Sequence, residues 1–261
     1  MGAPYRHTPG VAGHDSIRHH QRPQQPKWTP YRNPGVLETW SQPATIRPIM
    51  WKNPSSADGD RVAKFDQRKA YLAAMRAVNL PVGPLRPTGV EPHGPGYVRV
   101  RPHNAQHLLW MLMGKLDLQG CAWLGTATAR FFQETGPDQA GWDLIDSHTA
   151  PGQRLLRAWS QRIDQLPSFI GKAVYTQVVG MFNTRTGSIQ RPDWYDLVID
   201  QGNATMLRRI WSTWLHLARW PSEVYVDALA YVVDSEHQLG KLSELVKVGD
   251  GVGEMRLEGW H

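Results

Sequence analysis

Asp66-Gln67-Arg68-Lys69-Ala70-Tyr71-Leu72-Ala73-Ala74-Met75 is the stretch on which the reading of this chain turns. A short lead-in, Arg61-Val62-Ala63-Lys64-Phe65, reads as a strand and runs straight into the aspartate. Tyr71 then heads an Ala-, Leu- and Met-rich run that reads as a helix from about 67 to 78. A carboxylate where a strand ends and a helix begins is well placed to hold a divalent cation. The first turn of the helix offers free N–H groups and partial positive charge to a phosphate. Together these features point to phosphoryl-transfer chemistry. The alternative is a surface aspartate that only caps the helix.

Composition bounds the partners. The chain has 261 residues, 29 Lys and Arg against 23 Asp and Glu, a net charge of +6 and a pI near 9.5. That balance favours an anionic partner, nucleic acid first, although solubility alone accounts for a mild excess. The single cysteine, Cys121, excludes an intramolecular disulfide framework and a cysteine-rich zinc site. Its Gly120-Cys121-Ala122-Trp123-Leu124 setting reads as a small buried hydrophobe. The N-terminus is polar and Pro-rich, unlike a secretory signal. The longest apolar run, Leu108 to Met113, is too short to span a membrane. A cytoplasmic, nucleoid-associated protein with no membrane partner is the expectation. The 12 tryptophans are spread along the chain and read as packing rather than as one stacking platform.

Residues 1–57 read as a flexible arm rich in His, Pro, Arg and Gln, and residues 58–261 as the folded domain. Arg6, Arg18, Arg22, Lys27 and Arg32 face one acid, Asp15, in the first part of the arm. The arm is either a basic strap on nucleic acid or a leader with no specific role. His7, His14, His19 and His20 share no metal-ligand spacing with the cysteine. Further on, strands are expected at 96–101 and 142–146, and 108–113 fits either type. Pro151-Gly152 opens a helix carrying Leu155, Leu156, Trp159 and Ile163, which Pro167 ends. Helices follow at about 168–182 and 196–218. Strands at 223–227 and 229–233 form a hairpin, and a last strand covers 254–258. Helices grouped between hairpin-paired strands indicate an α+β fold, an antiparallel sheet with helices packed on one face.

Two more segments join the first. Lys172-Ala173-Val174-Tyr175-Thr176-Gln177-Val178-Val179-Gly180 lies on a helix beside one bearing Arg154, Arg157 and Arg162. A lysine and several arginines on adjacent helices form a cationic face suited to a triphosphate. Tyr225-Val226-Asp227 lies at the hairpin turn. Two aspartates on neighbouring strand ends suit paired metals, which activate both oxygens of an in-line displacement. Taken singly, an exposed lysine is usually just solvated and a hairpin aspartate is usually turn chemistry.

In this order the segments resemble the palm and fingers of family B DNA polymerases, especially the short protein-primed kind. Asp66 followed by Tyr71 and Met75 is similar to the first polymerase motif, an aspartate plus a steric-gate tyrosine. Lys172 with Gly180 resembles the fingers motif, with Val179 in place of its tyrosine and Thr176-Gln177 in place of Asn-Ser. Tyr225-Val226-Asp227 resembles the start of the third motif, and Gly253 to Glu258 the later strand near the primer terminus. Within that group Gly83-Pro84-Leu85, Arg191-Pro192-Asp193-Trp194 and Val226 to Tyr231 look like the telomere-associated (Tap-type) proteins of linear actinobacterial replicons and phages.

The resemblance implies a palm-like sheet with a helical fingers insertion. It implies a replication-associated protein acting as a nucleotidyl transferase on DNA and dNTP, with a terminal protein or replicative polymerase as partner. Asp66 and Asp227 would hold Mg²⁺ or Mn²⁺; Asp234 is the ligand in another register. Lys172, Arg157 and Arg162 would take the triphosphate, Tyr71 the sugar, and Gly180 would close the fingers motif. Leu229 stands where the third motif has a second aspartate. Side chains two apart on a strand share a face, so Asp227 is expected to point toward the same region. The alternative is a palm-derived DNA-binding or assembly factor that has lost its chemistry. The short arm and the end at His261 argue against a stand-alone processive replicase.

Overall fold

A computed structural model describes residues 46–53, 61–89, 92–114, 116–135, 141–183 and 191–260. The central sheet has five strands, all antiparallel to their neighbours, in the order β1-β9-β10-β2-β11. They are β1 (Met50–Lys52), β2 (Val62–Gln67), β9 (Glu223–Tyr225), β10 (Ala228–Val232) and β11 (Met255–Trp260). The alternation along β2 decides which side is covered. Ala63, Phe65 and Gln67 are buried, whereas Val62, Lys64 and Asp66 reach the other face. Phe65 stands opposite Leu229 and Leu257, and Asp66 opposite Ala228 and Arg256. One face therefore packs on helices, and the other carries Asp66.

The covered face rests on α6 (Pro192–Leu217) and α7 (Glu236–Val246), with Met206, Leu207, Ile210, Leu242 and Val246 in the same core as Phe65, Leu229 and Tyr231. A four-stranded antiparallel sheet joins that core. It consists of β4 (Arg86–Pro87), β5 (Gly96–Pro102), β6 (Ala122–Gly125) and β7 (Trp142–Thr149), in the order β4-β7-β5-β6. The helices α2 (Leu108–Leu112) and α3 (Thr126–Glu134) complete it, with Trp110 stacked on Phe132 at 4.0 Å.

A second core binds a helical lobe. It joins α1 (Ala70–Ala77), α4 (Arg157–Asp164), α5 (Ser168–Phe182) and the first turns of α6, through Leu72, Met75, Trp159, Val178, Phe182 and Trp194. The pair β3 (Leu80–Pro81) and β8 (Gly152–Gln153) leads into it. Lys69, just before α1, and Arg76 in its last turn both bond Asp164 at the end of α4, at 2.5 and 3.1 Å. This clamp fixes the helix after Asp66 against the lobe.

Helix α6 is the spine of the molecule. Three polar side chains on its buried face each fasten a different element. Asp196 accepts from the Tyr97 hydroxyl at 2.8 Å. Asp200 accepts from the N–H groups of Ala127 and Thr128, at 2.9 and 3.3 Å, and so caps α3 from outside it. Gly125 is required there, since a Cβ would sit 2.2 Å from the Asp200 carboxyl carbon. Asn203 accepts from the Ile49 N–H at 3.2 Å and donates to the Arg47 carbonyl at 2.9 Å.

The last contact corrects the expected arm. Residues 46–53 belong to the fold: Ile46 and Ile49 are buried and β1 forms the sheet edge beside β9. Residues 1–45, with the basic and histidine clusters, lie outside the described residues. Pro151-Gly152 does not open a helix: Gly152 begins β8, and the helix begins at Arg157. Residues 108–112 are helical. Among the described residues no helix is long and apolar enough to cross a membrane.

Candidate active site

Asp66 does not cap α1. The residue before the helix is Lys69, in the left-handed conformation with φ 52°, and no side chain caps the helix. Strand β2 continues through Asp66 to Gln67, so the carboxylate projects from the open face of the sheet. The strand end is tied down on both sides. The Gln67 N–H donates to the Asp227 carbonyl at 2.8 Å, and the Arg68 N–H to the Glu254 carbonyl at 2.8 Å.

Asp227 reaches the same place by a different route from the one expected. Tyr225 pairs with Ala228, so Val226-Asp227 is a two-residue hairpin loop and not strand. Val226 has φ 56°, which is rare for a β-branched residue and costs on the order of 1–2 kcal/mol. The turn is held against that cost: the Val226 N–H donates to Ile49 and the Asp227 carbonyl accepts from Gln67, both at 2.8 Å. Strand alternation therefore does not relate Asp227 to Leu229. Leu229 is 1% exposed and points into the core opposite Phe65, whereas Ala228 is the residue facing Asp66.

The electrostatics show the two aspartates sharing one environment. Burial raises the Asp66 carboxyl above its ordinary value, and the charges of Asp227 and Glu258 add to this, against Arg256 and Lys172. Burial likewise raises Asp227, with Glu258 adding to it, while its own N–H and Lys172 oppose the shift. Lys172, exposed on α5, is thus within electrostatic reach of both carboxylates. Tyr71 is raised by burial and then by Tyr195 and Asp227. Tyr71, Gln67, Val226 and Asp227 line a small cleft together with Ala74, Gly202 and Met206.

Asp234 lies beyond the opposite end of β10, exposed and ion-paired with Arg219 at 2.9 Å, because Val232 pairs with Val62 at the start of β2. Arg157 and Arg162 are exposed at the two ends of α4. Gly180 is exposed on α5, and a Cβ there would meet nothing within 4 Å, so no close approach requires a glycine.

Three neighbours of the site lie in segments that the sequence reading singles out but have no individual role in it. Tyr175 is buried, and its hydroxyl is raised by burial and then by Asp227 and Asp66. The signal for it is helical spacing: residue 175 shares a face of α5 with Lys172. Glu258 and Arg256 come from β11, and only the register with β2 brings them to Asp66. The approach to β11 is pinned at Gly253, with φ 84°, whose carbonyl accepts from Gln67 and from the buried Arg209. Among the described residues no group of three or more His, Cys, Asp and Glu is arranged to hold a metal ion.

Comparison with solved structures defines the class of fold. The chain matches phi29 DNA polymerase with a TM-score of 0.66 at 11% identity, over 98% of this chain and 53% of that one. It matches that polymerase complexed with primer-template DNA with a TM-score of 0.61 at 12% identity, over 94% of this chain and 51% of that one. The fold is therefore polymerase-like, and the chain spans about half the length of the structures it matches. No protein-family profile matches the sequence, and no curated protein is significantly similar to it.

Proposed function

We propose that this chain is a replication-associated protein that works on DNA, with a family B polymerase-like palm whose acidic site carries out metal-dependent nucleotidyl transfer. One observation carries the reading. Asp66, Asp227 and Lys172 come from three distant segments, and Lys172 on α5 lies within electrostatic reach of both carboxylates. The matched phi29 polymerase structures include complexes with single-stranded DNA and with primer-template DNA and incoming nucleotides, which supports DNA and dNTP as partners.

The donor set fits Mg²⁺ or Mn²⁺. Mg²⁺ is commonly held by one or two carboxylates together with substrate phosphates rather than by an all-protein cage. Asp66 and Asp227 are two hard oxygen donors whose carboxyls are raised by burial, with the charge of Asp227 adding at Asp66 and that of Glu258 at both, so that a cation between them is favoured. They would hold the ion, which supplies charge neutralisation at the transferring phosphoryl group. Lys172 would meet the triphosphate, with Arg157 and Arg162 as its outer cationic rim, and Gly180 would leave the end of α5 open. Tyr71 would lie under the sugar, beside the cleft it lines. The likeness of several segments to telomere-associated proteins extends the reading to DNA ends, where a terminal protein or replicative polymerase would be the partner and the nucleoid the location.

A second reading rests on Leu229. Its burial leaves the site with two aspartates, one on β2 and one in the β9–β10 loop, and no third-motif partner. That favours a DNA-binding or assembly factor with its chemistry lost. Incorporation of labelled dNMP on primed, terminal-protein-bound and hairpin templates separates the two. Incorporation that needs Mg²⁺ or Mn²⁺ and disappears in Asp66→Asn is the expected result. DNA binding without incorporation on any template would support the second reading.

A further inference from the structure

Arg256 stands directly across from Asp66 in the β11–β2 register, on the open face of the sheet. Its Nη2 lies 3.5 Å from Asp66 Oδ2 and 2.5 Å from Glu258 Oε1. One guanidinium nitrogen thus sits between two carboxylates, closer to the second. Glu258 is free to turn to it because β11 is bulged between Leu257 and Gly259. In an unbroken ladder residue 258 would stand opposite Lys64. The bulge puts Gly259 there and leaves Glu258 without a cross-strand partner.

We propose that Arg256 is the resident counter-ion of the acidic site, anchored by Glu258, and that a divalent cation gains Asp66 only by displacing it. The proposal rests on the reading of Asp66 and Asp227 as a cation site. A guanidinium is charged at every working pH, so the competitor is always present. The unequal distances let it leave Asp66 while keeping Glu258. The side chains are accessible, at 48% for Arg256, 31% for Asp66 and 47% for Glu258, so displacement is cheap and the competition measurable.

The test is a Mn²⁺ titration of the full chain, with free Mn²⁺ read by electron paramagnetic resonance at fixed ionic strength. Arg256→Gln is expected to bind Mn²⁺ about threefold or more tightly, the scale of releasing an exposed ion pair. Arg256→Lys, which keeps the charge, is expected to stay near wild type. Adding Asp66→Asn to Arg256→Gln is expected to remove the gain. Thermal melts establish that each variant is folded. Unchanged or weaker binding by Arg256→Gln overturns the proposal. Binding by Arg256→Gln but not by wild type sustains it, while removing metal-dependent catalysis from the natural chain. Binding by neither overturns the cation-site reading and this inference together.

Discussion

Replacing Leu229 by aspartate restores the residue pattern of the third polymerase motif, and the structure gives a definite outcome for it. Leu229 is 1% exposed, faces Phe65 across the β10–β2 ladder and belongs to the core that includes Met206, Leu207 and Ile210. Truncation of such a side chain costs about 2–5 kcal/mol. An unpaired carboxylate at the same point adds a desolvation penalty of roughly a few kcal/mol, or is forced to stay protonated. The sum rivals the roughly 5–15 kcal/mol that holds a typical domain together. Urea denaturation followed by circular dichroism should show Leu229→Ala lowering the midpoint and Leu229→Asp lowering it further, with no gain in Mn²⁺ affinity. Ala228→Asp is the contrasting change. Residue 228 faces Asp66 on the half-buried open side, so this variant should fold, lose at most about 1 kcal/mol to like-charge repulsion and bind Mn²⁺ more tightly. A stable Leu229→Asp variant with improved Mn²⁺ binding would refute the placement of this side chain in the core.

Other predictions follow from the same geometry. Val226→Asn relieves a left-handed backbone on a β-branched residue and should be neutral or stabilising by up to about 1 kcal/mol in thermal melts, and a loss of several degrees would contradict the strain. Burial pushes Asp200 up to about 6, so its folded form holds a proton that the unfolded chain releases near the ordinary value of 3.8. Its contribution is therefore full below about 4 and lost as pH rises through 6. Wild type should gain stability relative to Asp200→Asn as pH falls from 7 to 5, and a constant difference would contradict the shift. DNA affinity should fall steeply with salt, and Lys172→Ala should reduce the slope by about one if Lys172 meets a phosphate. An unchanged slope would place Lys172 off the nucleic acid.

What was legible in the sequence was local. The helix 168–182 coincides with its expected span, because a mostly apolar stretch follows Pro167. A strand leading into Asp66 and a hairpin beginning at 223 were also legible, although β2 runs on to Gln67 and the turn falls at Val226-Asp227 rather than at residue 228. Contacts made far along the chain were not. Strand β1 is three residues long at a sheet edge, too short for a period of two to show against a polar Pro-rich background. The helix expected at about 196–218 omits only the first turn of α6, which starts at Pro192, while the burial of Asp196 and Asp200 on it depends on Tyr97 and on the start of α3. Helix α7 carried a readable signal, Ser235 three residues ahead of Gln238, and the Ser235 hydroxyl does accept from the Gln238 N–H at 3.3 Å. At the site, Asp66 and Lys172 were visible as residue types in context. Arg256 and Glu258 were not, because their roles come from a ladder register and a bulge that no local pattern encodes.

The central claim is that Asp66 on the sheet and Lys172 on the helical lobe act on one bound nucleotide. A double-mutant cycle tests it most directly, with dATP binding in the presence of Mn²⁺ measured by calorimetry for wild type, Asp66→Asn, Lys172→Ala and the pair. The account predicts that each single change weakens binding and that the two losses are strongly non-additive, since either variant dismantles the same complex. Additive losses, or wild-type binding unaffected by Asp66→Asn, would contradict it.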